Sequence, residues 1–380
     1  MEPYPFEELD RQRAAALEAG RELIDFGVGD PSETTPRFIR EALKDAVEPV
    51  SSYPRAAGLP ELRAAIASWI ERRYGVAVDA QAQILPILGA KELVFSLAQA
   101  VLDPGAGRNL VVVTAPGYTI AERGARFAGG EVRRLPLREE SGFLPDLAGV
   151  EAATWARTAI LWLNYPNNPT GAIAPPAFLR AAAELARTYG FLLACDEAYS
   201  ELWFDEPPTS ALQVGDLTNV MVVNTLSKRS SMTGYRSGFA VGDPELVAAL
   251  KALRPSVGVT PQEFVQRASI AAWGEETHVQ ANRELYAAKR RLFLELFAAR
   301  GVQVAGSVAT FYLWVKVPGA RPSVEWAMEL LDRGGLIVAP GSFFGPEGEG
   351  YIRMAMVPTR EECERAASIL AGLLPEGVSA

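Results

Sequence analysis

A single histidine, His278, occurs in 380 residues. Multi-histidine metal centres are therefore excluded, and a serine–histidine–carboxylate triad would have to use this one imidazole. Cysteine is almost as scarce. Cys195 and Cys363 cannot build a disulfide framework or a zinc ribbon, and both read as inert packing residues of a reduced protein. Long apolar runs are missing too: Ile84–Leu88 and Leu110–Val113 fall far short of the roughly 18 residues a membrane span needs. Positive charge is in deficit, with 37 Lys and Arg against 46 Asp and Glu for a net charge of −9. A general nucleic-acid binder would be basic, so neither nucleic acid nor membrane is expected as a partner. A local basic site for small anions stays open, because a site's field can oppose the global one. Met1–Asp10 carries acids and two prolines where a secretory signal would carry a basic start and an apolar core. A cytoplasmic protein is expected.

What is present has ordinary folded proportions, 49% hydrophobic and 22% charged, in a chain long enough for two or three domains. Short apolar runs at Ile84–Leu88, Leu110–Thr114, Ala159–Asn164, Phe191–Asp196, Val220–Asn224 and Gly238–Gly242 read as buried strands. Helical patterns at Lys91–Val101, Tyr118–Phe127, Pro176–Tyr189 and Pro244–Leu253 alternate with them. This predicts an α/β fold with a mainly parallel sheet covered by helices on both faces. Past Pro261 the texture becomes α+β. A long helical stretch from about Gln262 to Arg300 breaks near Gly274. Strands follow at Val302–Ala305, Thr310–Val317, Leu336–Ala339 and Tyr351–Met356, with helices at Ser323–Arg333 and Arg360–Leu373. The segment before Pro36 has too little apolar content for its own core. We expect a large domain over residues 37–265 and a smaller α+β domain combining 1–36 with 266–380.

In parallel sheets ligands gather at the carboxyl ends of the strands. Those ends are polar here. One strand runs into Asn164-Tyr165-Pro166-Asn167-Asn168-Pro169-Thr170-Gly171, the next into Asp196-Glu197-Ala198-Tyr199, and the third into Asn224-Thr225-Leu226-Ser227-Lys228 with Gly234-Tyr235-Arg236 beyond. Singly each has an ordinary reading: Lys228 as a solvated lysine, Asp196 as a helix cap, Asn168 as a turn former, Arg236 as an ion-pair partner, Tyr118 as a core aromatic. Together, in order and spacing, they are hard to attribute to chance. His278 has no motif and reads as structural. Gly27-Val28-Gly29 lacks the third glycine of a dinucleotide fingerprint, so no nicotinamide site is expected.

The ordered set, from Gly27-Val28-Gly29-Asp30-Pro31 to Tyr351-Ile352-Arg353, resembles the class I/II aminotransferases of the fold-type I pyridoxal-phosphate superfamily. The resemblance implies pyridoxal 5'-phosphate as cofactor, with Lys228 as the amine that holds its aldehyde and later moves the α-proton. It assigns Asp196 to the pyridine nitrogen, Asn168 and Tyr199 to the ring's phenolic oxygen, and Tyr118 to stacking on the ring face. Phosphate contacts fall to Arg236, Thr225, Ser227 and the helix start at Ala90 and Lys91. Arg353 matches the arginine that grips the substrate α-carboxylate, with Gly29 and Asn168 beside it. Tyr53 matches a tyrosine that reaches the phosphate of a neighbouring subunit, which implies a homodimer with shared sites.

Within that family four stretches are similar to succinyldiaminopimelate aminotransferases of lysine biosynthesis: Leu226–Met232, Phe95–Gln99, Asp196–Glu201 and Ala339–Phe344. The expected reaction moves an amino group between glutamate and a keto acid, with Arg229, Lys91 or Arg55 meeting a distal carboxylate. Rival readings are an aspartate, aromatic or acetylornithine aminotransferase, or a carbon–sulfur β-lyase on the same scaffold. A ligand-sensing regulator with an aminotransferase-like domain is a further rival.

Overall fold

The protein is described here by a computed structural model covering residues 6–374, with side chains from Arg11 onward. The apolar runs form one seven-stranded sheet. Its order is Ile84–Ile87, Gly238–Gly242, Val220–Thr225, Leu192–Asp196, Thr158–Asn164, Leu110–Ala115 and Glu131–Pro136. Neighbours run parallel, except that Gly238–Gly242 opposes both of its partners. Alternate side chains point to opposite faces, so every central strand feeds two cores. On one face Val113, Ile160, Met221 and Val223 meet helices Ala90–Val101, Ile120–Phe127 and Pro244–Val257. On the other, Val112, Leu161, Leu193 and Val222 meet helices Pro60–Tyr74, Pro176–Tyr189 and Glu263–Trp273. Burial on both faces is what allows such continuous apolar strands.

A second sheet, with order Ala339–Pro340, Tyr351–Ala355, Tyr312–Lys316 and Val304–Gly306, is antiparallel throughout. Helices Thr277–Ala299, Ser323–Gly334 and Arg360–Leu373 bury Phe293, Phe297, Trp326, Leu330, Cys363 and Leu370 against it. Ile24 and Phe26 of the N-terminal segment join this core, and Ile24–Asp25 pairs in parallel with Leu336–Ile337. The helix break expected near Gly274 falls between Trp273 and Thr277. Ala268, Ala272 and Trp273 pack with the large sheet.

Three expectations differ from the structure. The strand expected over Leu336–Ala339 is two, Leu336–Ile337 beside Ile24–Asp25 and Ala339–Pro340 at the edge of the second sheet. Strand Glu131–Pro136 was not anticipated, because it is an edge strand with only Leu135 buried and lacks an apolar run. The helix expected from Tyr118 begins at Ile120, leaving Tyr118 in the loop before it. Among the described residues no helix is long and apolar enough to cross a membrane.

Candidate active site

Register brings the strand ends together: Asn164 lies beside Asp196, and Asp196 beside Val223, two residues before Thr225. Thr225 caps the one-turn helix Leu226–Arg229, its Oγ1 accepting from Ser227 N at 3.1 Å. The same oxygen donates to Ser237 O at 2.8 Å and lies 2.9 Å from Ser227 Oγ. Lys228 thus stands on a fixed strand-to-helix turn. Its Nζ donates to Gly29 O and lies 5.7 Å from the Phe311 ring centroid. Burial lowers its pKa to about 8; Asp30 opposes that, while Arg353 and Arg236 reinforce it.

Asp196 ends the central strand, 6% exposed. Burial raises its carboxyl to about 6, against a bond from Ala198 N at 3.1 Å. With Tyr118, Asn164, Trp162 and Val113 it lines a small cavity. Asn164 ties two candidates together: its Nδ2 donates to Asp196 O at 2.9 Å and its Oδ1 accepts from Asn168 N at 2.8 Å. Tyr199 Oη is 2.8 Å from Tyr312 Oη, and burial holds the Tyr199 phenol well above its ordinary pKa, so it remains a proton donor.

Arg353 is 3% exposed although it sits on a strand. It donates to Asn168 Oδ1 at 2.8 Å and Gly27 O at 2.6 Å, with its guanidinium 4.3 Å from the Tyr312 ring and 4.6 Å from that of Phe344. Gly29 is required by close approach: a Cβ there would lie 2.1 Å from Tyr312 Oη.

A third group gathers around the start of helix Ala90–Val101. No side chain caps this start. Arg236, in the left-handed region at φ 52°, donates to Leu88 O at 3.0 Å and Thr233 O at 2.9 Å. A Cβ on Gly89 would lie 2.6 Å from its Nη2, so glycine lets the guanidinium rest against the helix start. Lys91 is exposed; partial burial, with Arg236 and Arg123, lowers its pKa. Helix start and clustered cations together suit a dianion.

Most sequence-predicted residues therefore converge: Lys228, Asp196, Tyr199, Asn168, Tyr118, Thr225, Ser227, Ala90, Lys91, Arg236, Arg353 and Gly29. Tyr53 does not join them; its side chain is fully exposed in the single chain. Arg229 is corrected outright as a distal-carboxylate candidate. It is 1% exposed, donating to Ala272 O at 2.7 Å and Glu276 Oε1 at 2.6 Å, and its guanidinium lies 5.0 Å from the Trp273 ring centroid. His278 bridges Ser230 Oγ at 2.8 Å and Glu275 Oε2 at 2.5 Å, bracing the segment after Lys228. Sequence reasoning missed Tyr312, which is hidden in an apolar strand run and carries no local signal. Asn164 was legible as a polar strand end, but its role in tying Asp196 to Asn168 was not.

A two-sided, mainly parallel sheet carrying a buried lysine–aspartate site at its strand ends, with a small α+β unit supplying an arginine, is the architecture of fold-type I aminotransferases. The model of aminotransferase class I and II matches residues 21–370, and the chain belongs to that family. An LL-diaminopimelate aminotransferase of Aquifex aeolicus is 38% identical over 373 residues, covering 97% of this chain and 96% of the relative. A Thermus thermophilus aspartate aminotransferase mutant superposes with a TM-score of 0.91 at 30% identity, covering 98% of this chain and 97% of that one. A Thermus thermophilus protein named a probable N-succinyldiaminopimelate aminotransferase gives 0.89 at 30% identity, covering 97% and 100%. The protein is a pyridoxal-phosphate-dependent transaminase acting on small amino and keto acids. The Gly89–Arg236 cradle and the buried Asp196 carboxylate fit that cofactor.

Proposed function

We propose that this transaminase exchanges the amino group of glutamate with a diaminopimelate-type substrate, and that Lys228, Asp196 and Arg353 carry the reaction. When bound, pyridoxal phosphate supplies an aldehyde that takes up amino groups and a protonated ring that draws electron density from the substrate Cα. Lys228 Nζ, made a weaker base by burial, takes the Cα proton as general base and returns it as general acid. Asp196, ionised at neutral pH, holds the proton on the ring nitrogen, and Tyr118 covers the ring face. Tyr199 Oη and the Asn168 amide nitrogen serve the phenolic oxygen. Arg236, Thr225, Ser227, Lys91 and the Ala90 amide serve the phosphate.

The observation carrying this reading is Arg353, a buried guanidinium that the second sheet brings to Gly27 O, two residues from the Gly29 carbonyl that Lys228 meets, and near enough to help lower the lysine's pKa. Its planar fork suits an α-carboxylate, and both substrates present one, so a single arginine can serve both halves of the cycle. The names of the relatives favour LL-diaminopimelate itself. The four sequence stretches favour its N-succinyl derivative as the second reading. With Lys91 at the phosphate, Arg55 remains for the distal carboxylate. Assaying 2-oxoglutarate with LL-diaminopimelate, N-succinyl-LL-diaminopimelate and aspartate in parallel decides among them. The free diaminopimelate should give the highest kcat/KM, and a clear preference for aspartate would overturn the substrate assignment.

The same reading assigns Tyr53 to the phosphate of a second copy, in a homodimer with shared sites. Its full exposure supports this, as does the partial exposure of the apolar Val47, Val50, Val257 and Phe264. Mixing Tyr53→Phe and Lys228→Ala subunits should then restore activity lost by each, whereas a chain that stays monomeric at assay concentration contradicts it.

A further inference from the structure

The Asn168–Arg353 bond joins the two sheets, and one loop touches the supports of both partners. Residues 138–143 form a compact, self-tied turn: Phe143 N donates to Arg138 O at 2.8 Å, and Ser141 Oγ to Arg138 O at 3.0 Å and Leu144 O at 2.8 Å. Phe143, 5% exposed, holds a positive φ of 59°. At that end Phe143 O accepts from Tyr165 Oη at 2.6 Å, three residues before Asn168. At the other end Glu139 meets two groups of the second sheet and one just before it. Its Oε1 accepts from Gln303 Nε2 at 2.6 Å, and its Oε2 from Tyr351 Oη at 3.1 Å and Lys316 Nζ at 2.9 Å.

Tyr351 stands two residues before Arg353, so both project to one face of the strand. Ile352 and Met354, on the opposite face, belong to the second core. Trp314 stacks on Tyr351, with centroids 5.0 Å apart and planes at 12°, and is also the cross-strand partner of Arg353. Lys316 is the cross-strand partner of Tyr351. Glu139 therefore grips both strands of the pair that carries Arg353, one step from the guanidinium.

We propose that Glu139 is a positioning residue for substrate carboxylate binding: through Tyr351 and Lys316 it fixes the strand of Arg353 against the loop of Asn168. The inference rests on the reading of Arg353 as the carboxylate-binding arginine. Glu139 touches neither cofactor nor substrate and acts only on where Arg353 stands. Burial and Glu139 together raise the Tyr351 phenol to about 12, so it remains a hydrogen-bond donor throughout any working pH.

The test is steady-state kinetics of Glu139→Gln, Tyr351→Phe, the double variant and Arg353→Lys in the holoenzyme. Tyr351→Phe keeps the ring on Trp314 and removes only the hydroxyl. Each single change should raise KM for the amino donor and the keto acid alike by roughly three- to tenfold, with kcat and the cofactor's absorption unchanged. The double variant should be no worse than Glu139→Gln alone, because the Tyr351 hydroxyl acts only through Glu139. Unchanged KM in both singles alongside a raised KM in Arg353→Lys overturns the clasp alone. A double variant whose effect is the product of the singles does the same. Unchanged KM in Arg353→Lys sinks the carboxylate reading, and the clasp with it.

Discussion

The ring and carboxylate end of the site and its phosphate end are built on different terms. Asp196, Tyr199, Asn168 and Arg353 are each at most 7% exposed. Polar partners there come from within the chain: Asn164, Tyr312 and the Gly27 carbonyl. At the phosphate end Thr225 and Ser227 are buried, but both cations, Arg236 and Lys91, are exposed, the helix start has no side-chain cap, and Tyr53 points to solvent. The closed end tunes proton affinities, chiefly through burial. The open end gathers positive charge for a dianion and for a second copy of the chain. Chemistry should therefore fail at the first end and cofactor retention at the second.

The largest loss should come from Lys228→Ala, since a positioned acid–base group is worth about 10²–10⁴-fold in rate; single-turnover amino transfer in the reconstituted protein measures it. Asp196→Asn should slow the same step by roughly two to three orders of magnitude. It should also stabilise the cofactor-free chain. The folded-state pKa of Asp196 lies above its unfolded value, so its stabilising proton is present below 3.8 and lost as pH rises through about 6. Removing that charge should add on the order of 3 kcal/mol near pH 7, read by denaturant titration. A less active, no more stable variant would break the link between burial and function at the closed end. Arg353→Lys should lower kcat/KM by about ten- to a hundredfold in both half-reactions, because the ammonium cannot reproduce the planar fork. Of the same order, Arg236→Gln should weaken cofactor affinity about ten- to a hundredfold, with little effect on the rate of the saturated enzyme. A rate loss at saturating cofactor would blur the two ends. The smallest effect is in reactivity: acylation of Lys228 in the cofactor-free protein should rise through about pH 8, where ordinary lysines rise near 10.5.

The two ends were also unequally legible in the sequence. Strands buried on both faces leave continuous apolar runs, so the strand ends carrying Asn168, Asp196 and Lys228 could be located within a residue or two. The edge strand Glu131–Pro136 left no such run. Tyr312 was invisible for the opposite reason, as a functional hydroxyl inside an apolar strand. Arg229 looked available because a lysine-adjacent arginine reads as surface. Only packing shows it enclosed by Trp69 and Trp273 with Glu276 as counter-charge. Glu139 has no motif at all, since its partners are brought from the second sheet by tertiary contacts.

Borohydride reduction of the holoprotein followed by peptide mapping tests the central claim most directly. Reduction should fix the cofactor covalently to Lys228 and to no other lysine. A label on Lys91, or on any residue away from the Thr225–Arg229 turn, or no label at all, would contradict the account.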